Sequence, residues 1–162
     1  MNKMLLPISA ILLACCCCTL GPVTPNFVKE EPQQEKILGV YELSDQRVVS
    51  KSVVEDKVSY IELYPDQKCD MVNFPVFAEN TAFEYEFQEL YTGSCSWRIE
   101  ITGSANSWNI DSIWGVCFES STFESKDQCA NLLNTKSLYD LEFVFGDPDS
   151  NRTMIFSRIT PK

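Results

Sequence analysis

The sequence predicts an all-β fold, an antiparallel meander of about eight strands that closes into a small barrel and carries one short helix. Apolar and polar residues alternate with a period of two in successive segments between residues 37 and 159, which is the pattern of half-buried strands. Turn-forming pairs such as Pro65-Asp66 separate several of these segments. Closure into a barrel is expected because it removes the exposed edges that a lone sheet would offer to other chains.

The chain begins with the features of an export signal. Lys3 is positive, and the apolar run over residues 5–14 is too short to cross a bilayer and ends directly at Cys15. The motif Leu12-Leu13-Ala14-Cys15 resembles the lipobox of bacterial lipoproteins. The resemblance implies that residues 1–14 are a lipoprotein signal peptide and that Cys15 is the lipidated residue, which anchors the mature chain in the membrane. An ordinary secretory signal and a buried N-terminal helix are the alternatives.

The resemblance to lipoproteins also predicts where the protein works. In enteric-type bacteria an Asp after the lipidated cysteine retains the protein at the inner membrane, but here Cys16 follows. We therefore expect a lipid-anchored protein of the cell envelope, at the outer membrane and facing the periplasm or the exterior. Residues 15–36 combine prolines, charges and few apolar positions, so they are predicted to be a flexible tether. The folded domain is predicted over residues 37–162.

The net charge limits the partners of this domain. The chain carries −10 at pH 7, and removal of residues 1–14 takes away Lys3 and no acid, which gives −11. An acidic protein repels phosphate backbones, so nucleic acid is excluded as a partner. Cationic proteins, peptides or metal ions remain possible partners, and the simplest alternative is that the charge only keeps the domain soluble.

The strands are justified one by one from their alternation. They are predicted over residues 37–43, 58–64, 68–74, 83–87, 94–101, 108–118, 138–145 and 153–159, with a further strand considered over 47–54. Turns are predicted at Pro65-Asp66, Thr92-Gly93, Thr102-Gly103-Ser104 and Gly146-Asp147-Pro148-Asp149. Residues 125–133 are predicted to form the one short helix, because Ser125 and Gln128 have the spacing of a weak capping box.

Four cysteines of the domain are predicted to form two disulfides. They are Cys69, Cys95, Cys117 and Cys129, an even number in an exported domain. Three pairings are possible, and their positions along the meander favour Cys69–Cys95 with Cys117–Cys129. A metal site is disfavoured because these four cysteines have no Cys-x-x-Cys spacing and the chain has no histidine.

The order of several motifs resembles a group of small bacterial lipoproteins with lipocalin-like barrels. Leu38-Gly39-Val40-Tyr41-Glu42-Leu43 lies where a lipocalin has Gly-x-Trp, with Tyr41 in place of Trp. Leu63-Tyr64-Pro65-Asp66-Gln67 is similar to the first hairpin of that group, which usually has Gly where Gln67 stands. Gly93-Ser94-Cys95-Ser96-Trp97 and residues 141–156 are similar to a later strand and to the last hairpin. The resemblance implies a lipocalin-like barrel and carries no activity with it.

Three further groups of residues are candidate sites, each with a simpler structural explanation. Asp147, Asp149 and Asn151 have the spacing of the first ligands of a calcium loop, but Arg152 and Arg158 stand where Gly and Glu would be needed, so a turn without metal is predicted. Glu84 and Glu86 lie on one face of a strand and are expected to be solvated. Aromatic residues could line a ligand cavity or fill the core, and core packing is expected; they are Trp97, Trp108, Trp114, Phe118, Phe143, Phe145 and Phe156.

The sequence favours a non-enzymatic module over an enzyme. It contains no histidine, which removes the usual nucleophile–base pairs, and no cofactor is expected. The first hypothesis is protein binding, for example inhibition of, or immunity to, a cationic enzyme that attacks the envelope. The second is carriage of a small apolar molecule inside the barrel.

Overall fold

The structure is a closed antiparallel barrel of eight strands, as the sequence predicts. The computed structural model describes residues 26–48, 57–79, 85–105, 111–121, 128–135, 138–146 and 152–159. The strands are β1 Gly39–Gln46, β2 Tyr60–Leu63, β3 Lys68–Glu79, β4 Tyr85–Ala105, β5 Asp111–Glu119, β6 Gln128–Asn134, β7 Tyr139–Val144 and β8 Thr153–Ile159. Each strand pairs with its neighbours in sequence, and β1 pairs with β8 to close the barrel.

The β2–β3 hairpin shows how the alternation determines the two faces of the sheet. Ile61 and Leu63 are buried inside the barrel, whereas Glu62 lies between them on the outer face. The predicted turn at Pro65-Asp66 connects the two strands, and Gln67 in this turn has a φ of +61°. This left-handed conformation favours glycine, and here a glutamine adopts it.

The last hairpin also has the predicted position. β7 and β8 pair antiparallel, and the N–H of Phe145 donates to the carbonyl of Arg152 at 3.0 Å beyond the last strand pair. The chain therefore reverses between these two residues. The turn residues 147–151, like most of the strand considered over residues 47–54, lie outside the described residues.

The prediction of a helix over residues 125–133 is wrong. Residues 128–133 belong to β6, and residues 125–127 lie outside the described part of the chain. Cys129 lies opposite Cys117 of β5, and Leu132 lies opposite Leu141 of β7. Pairing on both edges outweighs a weak capping signal. The helix that the described residues do contain is α1, the single turn Gln34–Ile37.

The predicted turns at Thr92-Gly93 and Thr102-Gly103-Ser104 are wrong as well, because both lie inside the 21-residue strand β4. A Cβ on Gly93 would lie 2.6 Å from the hydroxyl oxygen of Tyr91, so this glycine accommodates a neighbouring side chain. Gly103 follows a β-bulge, where the pairing of β4 with β5 shifts register after Ile101. In both places glycine marks a close approach or a bulge within a strand rather than a chain reversal.

Both disulfides join cysteines that face each other on neighbouring strands. Cys69 of β3 is bonded to Cys95 of β4, and Cys117 of β5 is bonded to Cys129 of β6. This is the pairing that the sequence favours. Both cysteines of the first pair are buried, whereas Cys129 is exposed on the outer face beside buried Ala130. The second bond joins β5 to β6 near the start of β6.

The segment before β1 crosses one end of the barrel. Val28 hydrogen-bonds to both β5 and β6, because its N–H donates to the carbonyl of Leu132 at 3.0 Å and its carbonyl accepts the N–H of Trp114 at 2.9 Å. The chain then continues through α1 to β1, on the opposite side of an eight-stranded barrel. The buried residue Ile37 belongs to the core. Residues 26–36, predicted as part of the tether, therefore contact the barrel.

Candidate protein-binding surface

The barrel interior is filled by aromatic rings that meet across it. Phe74 of β3 and Phe143 of β7 lie on opposite sides of the barrel, and their ring centroids are 5.2 Å apart. Phe118 of β5 lies 5.8 Å from Phe143, and Phe156 of β8 lies 5.7 Å from both Phe74 and Phe143. These separations are those of packed aromatic pairs. At this level the interior holds side chains of the protein itself.

The other predicted aromatic residues extend the same core. Trp97 and Phe145 are buried, and Trp114 is partly buried against the core cluster. Trp97 is fixed at the β2–β3 turn, because its indole N–H donates to the carbonyl of Tyr64 at 3.1 Å. Trp108 lies outside the described residues. Phe145 contacts Phe77 of β3, with ring centroids 4.6 Å apart.

α1 is held at the end of the barrel by polar contacts to several strands. The side-chain amide of Gln34 donates to the carbonyl of Pro65 at 2.7 Å, in the β2–β3 turn. Arg158 of β8 donates to the carbonyl of Lys36 at 2.7 Å. The hydroxyl of Tyr41 donates to the carbonyl of Ile37, and burial raises the pKa of this phenol well above its ordinary value. These contacts place the helix turn over the opening.

An acidic stripe crosses the outer face of β2, β3 and β4; we define it by Glu62, Tyr64, Asp70 and Ser94. Glu62 lies directly opposite Asp70, which in turn lies opposite Ser94. The Tyr64 hydroxyl donates to one Asp70 oxygen at 3.1 Å, and the Ser94 hydroxyl donates to the other at 2.7 Å. Two like charges facing each other across a strand pair destabilise the sheet unless donors or cations compensate them.

The electrostatics of the stripe leave negative charge available to a partner. Hydrogen bonding to Glu62, burial and hydrogen bonding to Asp70 together raise the pKa of Tyr64 well above its ordinary value. The phenol therefore stays protonated as a donor, but it has a single proton for two carboxylates. A guanidinium or ammonium group from another molecule could supply the missing donors.

A second polar group lies on the outer face at Gly115 of β5, where no side chain projects. The Thr102 hydroxyl donates to the side-chain oxygen of Asn131 at 2.8 Å, above Gly115. A Cβ on Gly115 would lie 2.5 Å from the Thr102 methyl carbon and 2.1 Å from the Ala130 carbonyl oxygen. Asn131 also hydrogen-bonds Glu142, whose pKa is raised because burial outweighs this bond and the charge of Arg47. This cluster explains why the position between Thr102 and Asn131 is a glycine.

Most of the remaining candidate residues lie outside the described part of the chain. Glu86 is exposed on β4, and Glu84 lies outside the described residues, as do Cys15 and the loop from Asp147 to Asn151. Among the described residues there is no group of three or more His, Cys, Asp or Glu residues arranged to hold a metal ion. The described helix turn is neither long nor apolar enough to cross a membrane.

Sequence reasoning did not single out the acidic stripe. The pair of Glu62 and Asp70 could have been predicted, because the turn at Pro65-Asp66 sets the register that places these two residues opposite each other. The contact with Ser94 depends on the long pairing of β3 with β4, which the turn predicted at Thr92-Gly93 excluded.

No known protein family, curated protein or solved structure matches the chain.

Proposed function

We propose that this protein is a membrane-anchored lipoprotein of the cell envelope that binds a cationic protein and has no catalytic activity of its own. The barrel serves as a lipocalin-like scaffold, and the role is of the inhibitor or immunity type. The observation that carries the proposal is the set of ring contacts across the barrel between Phe74, Phe143, Phe118 and Phe156. A barrel filled by its own side chains leaves the outer surface for binding.

The charge of the outer surface supports a cationic partner. The chain carries a net −10, and Glu62 and Asp70 concentrate negative charge in the acidic stripe. Complementary charge accelerates encounter and selects partners more than it adds affinity. The packed rings favour this function over carriage of an apolar molecule, which needs an interior cavity.

The proposed lipid anchor agrees with the position of the N-terminal segment. If Cys15 carries the lipid, the chain reaches the barrel at Asn26, beside β6. Eleven residues span at most about 40 Å when fully extended. The N-terminal segment thus enters at the end of the barrel that α1 contacts, and the acidic stripe lies on the side wall.

The proposal is tested by capture of envelope proteins on the immobilised full-length protein. We expect basic proteins to be retained at low salt, released as the salt concentration rises and identified by mass spectrometry. The double variant Glu62→Gln/Asp70→Asn should bind the same proteins about tenfold more weakly. Its matched control is Glu86→Gln/Glu89→Gln, which removes two charges near the other end of β4 and should leave binding unchanged.

Two outcomes would contradict the proposal. Equal weakening by both double variants would show a response to overall charge without a binding surface. Retention that does not change with salt, together with an apolar molecule released when the protein is denatured, would instead support the carrier function.

A further inference from the structure

We propose that the open edge of β4 binds an extended segment of the protein partner as an added strand, and that this segment alternates apolar and basic side chains. The inference rests on the proposed protein-binding function, for which it names the place and the chemistry of the contact. Strand addition to a free sheet edge is a general mode of peptide recognition.

In the described part of the chain this edge is open, because β4 is longer than the strand beside it. β3 begins at Lys68, which lies opposite Ser96, whereas β4 continues to Ala105 and pairs with β5 along this extension. Among the described residues, no strand pairs with the other edge of β4 over residues 99–105. Natural sheets usually cover or block such an edge, so an uncovered one is a candidate contact surface.

The direction of the free backbone groups follows from Trp97. Its N–H donates to the carbonyl of Gln67 at 2.8 Å, on the β3 side of β4. Alternate residues of an antiparallel strand direct their backbone groups to the same side. Ile99 and Ile101 therefore direct their N–H and carbonyl groups to the open edge. The Ile101 side chain is 53% exposed next to it.

A second copy of the chain does not suit this edge. Two copies that used both Ile99 and Ile101 would pair each Ile99 with the Ile101 of the other copy. That register places Glu100 directly opposite Glu100 of the second copy on the same face, which is unfavourable. The net charge of −10 on each copy adds to the repulsion.

The charges beside the open edge of β4 favour a partner segment with basic side chains. Glu100 is half exposed, and Arg98 contacts both Glu100 and Glu119, so two acids share one base beside the edge. A basic residue opposite Glu100 would balance this charge. Its neighbours along the added strand would lie on the face of Ile99 and Ile101, where apolar side chains pack.

The probe for this inference is a short synthetic peptide of alternating valine and lysine, added to the full-length protein. We expect the peptide to slow hydrogen exchange of the Ile99 and Ile101 amides by about tenfold or more, because these amides gain hydrogen bonds. Ile101→Pro removes one of the edge N–H groups and should abolish this protection and weaken binding by about tenfold or more. Ile101→Ala keeps the N–H and is the matched control. Because Ile101→Pro could also impair folding, Glu100→Gln provides a second variant, which should weaken binding of the same peptide.

The outcomes separate this inference from the proposed function. Amides of Ile99 and Ile101 that are already protected in the free protein, absence of peptide binding, or equal binding by Ile101→Pro would overturn the inference. A dimer that Ile101→Pro dissociates would also overturn it, because the edge would then belong to a second copy. If envelope proteins remain bound to Ile101→Pro but not to Glu62→Gln/Asp70→Asn, the proposed function stands and the open edge is not its contact.

Discussion

At the scale of single residues, Gly115 is the position where the structure is most sensitive to added volume. Its missing side chain lets the Thr102 and Asn131 side chains meet across β5. Gly115→Ala should lower the free energy of unfolding by about 1–3 kcal/mol, because a methyl group there overlaps both a backbone oxygen and the Thr102 side chain.

Urea unfolding followed by tryptophan fluorescence measures this effect. Gly103→Ala is the matched control, since among the described residues its new Cβ would have only the Ile113 side chain nearby, at 3.6 Å. Equal midpoints for wild type and Gly115→Ala would show that β5 and β6 can separate there without cost.

Glu142 gives the barrel a pH-dependent stability. Its pKa is raised in the folded state because burial disfavours the ionised carboxylate. The folded protein therefore holds this proton to higher pH than the unfolded chain, so this group lowers stability as the pH rises above the ordinary glutamate pKa of about 4.3. Glu142→Gln does not titrate and can keep a hydrogen bond to Asn131.

The variant should thus gain stability relative to wild type as the pH rises above about 4.3. Urea unfolding at several pH values measures the difference in the free energy of unfolding. A difference that is constant with pH, or that falls as the pH rises, would contradict the assignment of a buried carboxylate with a raised pKa.

At the scale of secondary-structure elements, the segment from Asn26 to Ile37 is part of the barrel. Val28 and Ile37 are buried, and Val28 bonds to two strands. A chain that begins at Leu38 should lose about 3 kcal/mol or more of stability compared with one that begins at Asn26, because it exposes the surface that these side chains cover. Urea unfolding of the two truncated chains compares them, and identical midpoints would mean that the segment only rests on the surface.

The strands were predictable where one face is buried and short turns limit the register. The β2–β3 hairpin meets both conditions, since Ile61 and Leu63 are buried on one face and Pro65-Asp66 forms the turn. In β7 the first condition holds, since Leu141 and Phe143 are buried. The helix predicted over residues 125–133 failed because local capping signals carry no information about Cys117 opposite Cys129. The length of β4 was missed because Gly93 and Gly103 were interpreted as turns.

The surface was less predictable than the core. The alternating pattern predicts the core residues, but the acidic stripe is formed by residues on three strands. Its contacts depend on the register between them. The open edge of β4 depends on the difference in length between β3 and β4, which the sequence pattern does not show. The role of residues 26–37 was hidden because few of them are apolar, although Val28 and Ile37 are both buried.

At the scale of the whole molecule, a lipid anchor at Cys15, which the sequence predicts, would hold the barrel at the membrane. Cys15→Ser should leave an unprocessed precursor and release the protein from the membrane, because lipid attachment and processing at this position both require the cysteine thiol. Membrane fractionation combined with mass spectrometry of the N-terminal peptide measures both effects. A processed Cys15→Ser chain that still sediments with membranes would contradict the prediction.

We propose that the barrel is filled by its own side chains and binds its partner on the outside. Native mass spectrometry of the full-length protein, extracted from membranes in mild detergent, tests it most directly. We expect the mass of the processed chain with its lipid and no further small molecule, both before and after denaturation. A stoichiometric apolar molecule that is retained in the folded protein and released on unfolding would contradict it.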